Sequence, residues 1–274
     1  MGEMVSFVKD LYKRVMDDDV FGLGAQLAYF FLLSLFPFLL FVMTLIGYLP
    51  IEEDYLMDFI ETYAPTEIMD LIQSNIHQLV NDQNTGLLSI GIIGTLWPAS
   101  NAINAIIRAL NKAYNVKENR SFIVARLIAI VLTIVMVVVI CIALLLPVFG
   151  RMIGIYLFSF VGLSDDFLQA WEMLRWIIFS VISFIALVAL YRLAPNKRIR
   201  IKNVLGGAIF ATLSWQLISF AFSFYINTIG NYSATYGSLG AVIILMIWFY
   251  IFAIIIIIGG IINAMTRERK TQKR

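Results

Sequence analysis

Side chains able to do acid–base, nucleophilic or metal chemistry are few in this chain. Among 274 residues there is one histidine, His77, and one cysteine, Cys141. A lone thiol inside an apolar run forms no internal disulfide, and without a CxxC pair it cannot hold zinc or an iron–sulfur cluster. His77 stands alone in an acidic segment and reads as a surface residue rather than a ligand or base. What remains is uncharged polarity at helical spacing. Trp97, Asn101, Asn104, Arg108 and Asn111 are separated by four, three, four and three residues and therefore share one helical face. Thr212, Gln216, Ser219, Ser223 and Asn227 follow the same rule later in the chain. Gln26, Tyr29, Ser34 and Pro37 cover a broader arc of an earlier segment. The chemistry open to such side chains is hydrogen bonding and recognition of a polar head, not bond cleavage.

The elements that must position these residues follow from composition. The chain is 61% hydrophobic and only 14% charged, with a mean hydropathy of +0.87. A soluble fold of this size needs a polar coat that these residues cannot supply, since an average domain is roughly 25% charged. A net charge of +2 points to neither nucleic acid nor an acidic substrate. Charge-free apolar runs long enough to cross a hydrocarbon core of ~30 Å predict six transmembrane helices, over 24–49, 87–110, 126–149, 174–193, 203–226 and 237–265. The fourth has a short charge-free core bracketed by Arg175 and Arg192, so its helix should run longer, with both arginines reaching toward the headgroups. The expected fold is therefore an all-α polytopic membrane protein forming a single domain.

Lys and Arg set its orientation. Eighteen of the twenty fall in alternate segments: the N-terminus, the stretch from Arg108 to Arg126, the Arg192–Lys202 loop and the C-terminal tail. Six spans with both termini in the cytoplasm keep all four on one side. The connection over 50–86 carries eight Asp or Glu and no Lys or Arg. Pro65-Thr66-Glu67 reads as a helix start, and Ile68, Ile72, Ile76 and Leu79 recur at helical spacing, so an external helical hairpin is expected there. Residues 1–22 should form an amphipathic helix in the cytoplasmic interface, with Met4, Val8, Leu11 and Val15 on one face and Lys9, Lys13 and Arg14 beside it. That segment lacks the central apolar stretch of a signal peptide.

An amide facing lipid is costly, so the polar stripes should face each other or a wet cavity. Two readings stand. The stripes of spans 1, 2 and 5 line a polar groove, with Pro37 and Pro98 kinking their helices beside it. Alternatively they are interhelical hydrogen-bonding glue, each contact contributing about 0.6 kcal/mol. The six charge-free cores hold no Asp, Glu, Lys, Arg or His, which argues against a proton relay or ion-coupled antiport. Gly91, Gly94, Gly206, Gly207, Gly259 and Gly260 suit close helix packing.

Several segments together resemble a known family. Ala25–Pro37 (AQLAYFFLLSLFP) is similar to the AxLAYYxLxSLFP signature of the YihY/BrkB membrane proteins, with Phe30 where a second tyrosine is common. Trp97–Asn101 (WPASN) and Ala109–Tyr114 (ALNKAY) resemble two further blocks, and Leu190–Pro195 (LYRLAP) a third. Tyr232–Ala241 (YSATYGSLGA), with Tyr232, Tyr236 and Gly237, and then Trp248–Tyr250 (WFY), resemble its C-terminal blocks. The resemblance implies a bacterial cytoplasmic-membrane protein. The family has carried a ribonuclease label and a virulence-factor label. A metal-dependent nuclease needs clustered carboxylates or histidines, which the cytoplasmic segments lack, so neither enzyme activity nor a cofactor is expected. Anionic lipid headgroups account for the basic loops better than RNA does. The leading expectation is a transporter or flippase-like protein for an amphiphilic, lipid-related substrate, with Arg108, Lys112, Arg192 and Arg198 as a headgroup-binding rim. The alternative is a non-transporting scaffold or envelope-assembly factor.

Overall fold

The computed structural model describes residues 2–46, 85–158, 165–228 and 239–272. Every regular element among them is a helix: α1 (Gly2–Asp17), α2 (Val20–Ile46), α3 (Thr85–Ala113), α4 (Phe122–Phe158), α5 (Asp165–Leu193), α6 (Leu205–Thr228) and α7 (Leu239–Gln272), with a 3₁₀ turn at Ile201–Asn203. All but α1 are long and apolar enough to cross a membrane. A helix satisfies its own backbone groups, which hydrocarbon cannot do for it. The external hairpin expected over 50–86 lies almost wholly outside the described residues, as do Tyr232, Tyr236 and Gly237.

Helix limits depart from the charge-free runs wherever a charge is tolerated at an end. α4 begins at Phe122 and so carries Arg126 inside it. Ser121 starts that helix, its hydroxyl accepting from the Val124 N–H at 3.4 Å. α5 extends back to Asp165, making the short fourth core the middle of a 29-residue helix. α2 and α3 stay helical through Pro37 and Pro98.

The described residues group into two compact units. In the second (Ser34–Pro98 and Cys141–Arg175), Gly91 and Gly94 let α3 approach α2 closely. A methyl group on Gly91 would come within 2.9 Å of the Phe41 backbone, and one on Gly94 within 3.0 Å of Pro37.

The first unit (Met1–Leu33, Ala99–Ile140 and Trp176–Arg274) holds a core of Leu27, Ile106, Leu110, Leu132, Leu190, Tyr191, Ile257 and Ile261. α1 packs on it through Phe7, Leu11 and Val15. Part of the face expected to lie on the bilayer is therefore turned to the protein, while Val5, Val8, Tyr12 and Met16 form a separate exposed stripe. The tightest contact joins α6 to α7. A methyl group on Gly207 would collide with the Gly259 carbonyl oxygen and the Asn263 amide, and one on Gly259 with the Tyr191 hydroxyl. The missing side chains admit two hydrogen bonds. The Gly207 N–H, in the first turn of α6 and so without a partner in its own helix, donates to Asn263 Oδ1 at 2.7 Å. The Tyr191 hydroxyl donates to the Ile256 carbonyl at 2.8 Å. Farther along, Trp215 meets Phe252 and Trp248, with ring centroids 4.3 and 5.8 Å apart.

This contact predicts a sharp contrast between neighbouring glycines. Gly207→Val should lower the melting temperature of the detergent-purified protein by an amount equivalent to about 1–3 kcal/mol of overpacking. Gly206→Ala, with its nearest neighbouring atom 4.0 Å away, should change it little. Equal melting temperatures for Gly207→Val and the wild type would show that this close approach does not hold the helices.

Candidate functional site

Tyr114 follows the last residue of α3, and the turn there is built by an asparagine. Asn115 adopts φ 50°, a left-handed conformation that asparagine tolerates better than most residues. Its N–H donates to the Lys112 carbonyl, and the Val116 N–H reaches back to the Asn111 carbonyl, both at 2.9 Å. Helix ends closed by this pair of bonds redirect the chain sharply. Here the turn brings Glu118 under Asn111, whose Nδ2 donates to Glu118 Oε2 at 2.7 Å. The other side of the same amide, Asn111 Oδ1, accepts the Asn196 N–H at 2.7 Å. Arg120 finishes the junction. It donates to the carbonyls of Ala194 at 3.0 Å and Pro195 at 2.5 Å, at the end of α5 where backbone acceptors lack helical partners and cations are favoured. Its own N–H donates to Glu118 Oε1 at 3.1 Å.

Beside this junction lies an open cavity of about 320 Å³ lined by Phe30 of α2, by Asn101, Asn104, Ile107, Arg108 and Asn111 of α3, by Glu118, and by Phe122, Ala125 and Arg126 of α4. Arg126 Nη1 donates to Asn101 Oδ1 at 3.0 Å. Arg108 Nη2 lies 3.4 Å from Gln26 Oε1 and is exposed. Phe122, at the edge, is 83% exposed. The lining thus combines amides and two guanidiniums with an apolar margin, suited to holding a polar head while its attached chain stays outside. Tyr114 packs nearby; burial pushes its phenol upward, against the opposing pull of Arg267.

The expected residues divide between this cavity and other places. Asn101, Asn104, Arg108 and Asn111 line it together. The third wall of this cavity is α4, and no residue of α6 lines it. Gln216 on α6 donates to the Ser180 hydroxyl of α5 at 2.6 Å. The Ser219 hydroxyl is buried with no hydrogen-bond partner among the described residues. Tyr29 and Trp97 are 60% and 67% exposed. Ser34 is buried within the second unit, which also contains Pro37, and the Ser223 side chain is outside those described. Of the expected basic rim only Arg108 reaches the cavity. Lys112 donates to the Asp17 carbonyl at 3.0 Å and lies 3.7 Å from Asp18, while Arg192 and Arg198 are exposed elsewhere.

Arg126 and Glu118 were not singled out from sequence. The charge-free run begins at Leu127, which leaves Arg126 at the very edge of the expected span. Ser121 ahead of Phe122 was the available sign that the helix begins earlier. A second cleft, of about 370 Å³, lies between α1 and α7. Four of its charges are paired across it: Arg14 with Glu268, and Arg269 with Asp10 at 2.7 Å.

Removing the amide at position 111 should loosen the junction. Asn111→Ala should cost about 1–3 kcal/mol of stability, because it orphans the Asn196 N–H and one Glu118 oxygen. Asn111→Asp keeps the acceptor but sets a second carboxylate against Glu118, so the folded state takes up a proton more readily than the unfolded one. Its melting temperature should fall further below wild type near about pH 8 than near about pH 5; a pH-independent deficit would show that the two groups do not face each other.

Comparison with known proteins bears on this architecture. The family model described as Virulence factor BrkB matches residues 11–274. The chain is 53% identical over 266 residues to a protein of Bacillus subtilis (strain 168) named putative ribonuclease-like protein YfkH, covering 97% of each chain. It is 28% identical over 270 residues to a UPF0761 membrane protein of Aliivibrio salmonicida (strain LFI1238), covering 96% of this chain and 84% of that one. A UPF0761 membrane protein of Aliivibrio fischeri (strain MJ11) is 29% identical over 270 residues with the same coverage. No solved structure matches. With the match running through α2 to α7 and the cavity between them, this chain is a member of the Virulence factor BrkB family of membrane proteins.

Proposed function

We propose that the chain is a transporter or flippase-like protein of the bacterial cytoplasmic membrane, with both termini in the cytoplasm, and that its substrate is an amphiphile. The observation that carries this reading is the open hollow between α2, α3 and α4, with amides and guanidiniums inside and exposed Phe122 at its edge. An amphiphile has the same division. Its head needs donors in a site shielded from bulk water, and its tail needs an apolar exit. Under the positive-inside rule, the basic residues around the Asn111 junction support an orientation with the hollow toward the cytoplasm. No enzyme activity is assigned. The lining offers amides, guanidiniums and one carboxylate already engaged by Asn111 and Arg120, and none of these is an activated nucleophile or base. Among the described residues no group of three His, Cys, Asp or Glu side chains is placed to hold a metal ion.

The test is reconstitution of the full chain in liposomes carrying fluorescent short-chain lipids of several headgroup classes. Protein-dependent movement of at least one class between leaflets is expected, and Asn104→Leu should abolish it without loss of folded protein. Failure to move any class would favour the scaffold role. In the same vesicles, with Cys141→Ser as background, cysteines placed at Asp58 and Lys197 should react from opposite sides. Reaction from one side would contradict the orientation.

A further inference from the structure

An arginine inside a membrane-spanning helix is rare and costly unless it serves a pathway or site. Arg126 lies four residues into α4, about 6 Å along the helix axis, and within the apolar stretch Phe122–Val139 that is long enough to cross the membrane. Its guanidinium is turned into the hollow, where it bonds Asn101 Oδ1 at 3.0 Å. Arg108 enters the same hollow from α3. The one carboxylate of the lining, Glu118, accepts from Asn111 and from the Arg120 N–H, with the Arg120 Nε 3.9 Å away. Glu118 is thus already engaged at both oxygens, and Arg108 and Arg126 bring two guanidiniums to the same lining.

We infer that this hollow is a phosphate site: Arg108 and Arg126 grip the phosphate group of the amphiphile, with the Asn104 amide as a further donor. The inference rests on the transport reading above and names the chemistry of its substrate. Two guanidiniums offer planar, forked donor sets that match phosphate oxygens. A phosphate diester keeps two unesterified oxygens, each with room for more than one donor, so it can meet both forks and an amide. Binding need not create a new charge site, because Arg126 is already held in place by Asn101, and a preorganised fork loses less freedom on binding. Phosphate can arrive as the headgroup of an anionic lipid, its tail leaving past Phe122, or as a water-soluble phosphate ester.

Headgroup preference tests this separately from transport. Purified full chain in neutral detergent is titrated with short-chain fluorescent phosphatidylglycerol and with a diacylglycerol bearing the same tail and no phosphate. Wild type should prefer phosphatidylglycerol by about tenfold or more, the scale of one charge-assisted hydrogen bond. Arg126→Gln and Arg108→Gln should each abolish the preference, Arg126→Lys should restore part of it, and Arg192→Gln, outside the hollow, should leave it intact. If Arg126→Gln fails to fold, the exposed Arg108 decides. Displacement of the bound lipid by glycerol 3-phosphate would identify a free phosphate ester as a sufficient ligand. Retained binding in its presence, with the preference intact, would identify the lipid as the source. Equal affinity for the two lipids, or equal losses in Arg108→Gln and Arg192→Gln, would overturn the proposal. Leaflet transfer with no headgroup preference would overturn it while leaving the transport reading standing. Preference without transfer would do the reverse.

Discussion

The amide of Asn111 satisfies two chain segments at once, and the geometry of the basic end of the bundle follows from that double duty. One side of the amide takes the Asn196 N–H just after α5, and the other donates to Glu118 in the turn before α4. Glu118 in turn fixes the Arg120 backbone, and Arg120 reaches the last carbonyls of α5. Each of these groups would be costly to leave unpaired where little water can reach it. The end of α3, the start of α4 and the end of α5 are therefore set by one another. Their spacing decides how far Arg108 on α3 stands from Arg126 on α4, so the hollow is a consequence of the junction beside it.

Elsewhere in the same unit polarity serves cohesion. Gly207 and Gly259 remove side chains so that α6 and α7 can touch, and Asn263 uses that closeness to satisfy the first turn of α6. Gln216 binds Ser180. In these places an amide meets a backbone N–H or a hydroxyl of the neighbouring helix. Around Asn101 and Asn104, by contrast, a helix face of the same polar character meets open space. Similar residues in two stripes thus do different work, and the difference lies in what packs opposite them.

That difference explains what could be read from the sequence. The six apolar helices follow directly from run length, and the shared face of Asn101, Asn104, Arg108 and Asn111 follows from spacing within one helix. Neither needs knowledge of a neighbour. Which helix closes the hollow depends on packing, and spacing alone is silent about that; α4 lines it and no residue of α6 does. Run length alone ends a span at a charge, whereas Arg126, one turn inside α4, reaches the Asn101 amide from within the helix. α1 shows the same limit. Its residues at positions 11 and 15 are apolar whichever way they face, and contact with the core, not periodicity, turns them inward.

The central claim is that the hollow between α2, α3 and α4 is open to the cytoplasm and receives an amphiphile's head. The most direct measurement is the reaction rate of a cysteine at Asn104, in a Cys141→Ser background, with a membrane-impermeant maleimide added from the cytoplasmic side. The account predicts ready labelling at Asn104, slow labelling of a cysteine at the sealed position Ser219, and protection of Asn104 alone when an anionic short-chain lipid is added. Labelling at Asn104 as slow as at Ser219, or unaffected by the lipid, would contradict it.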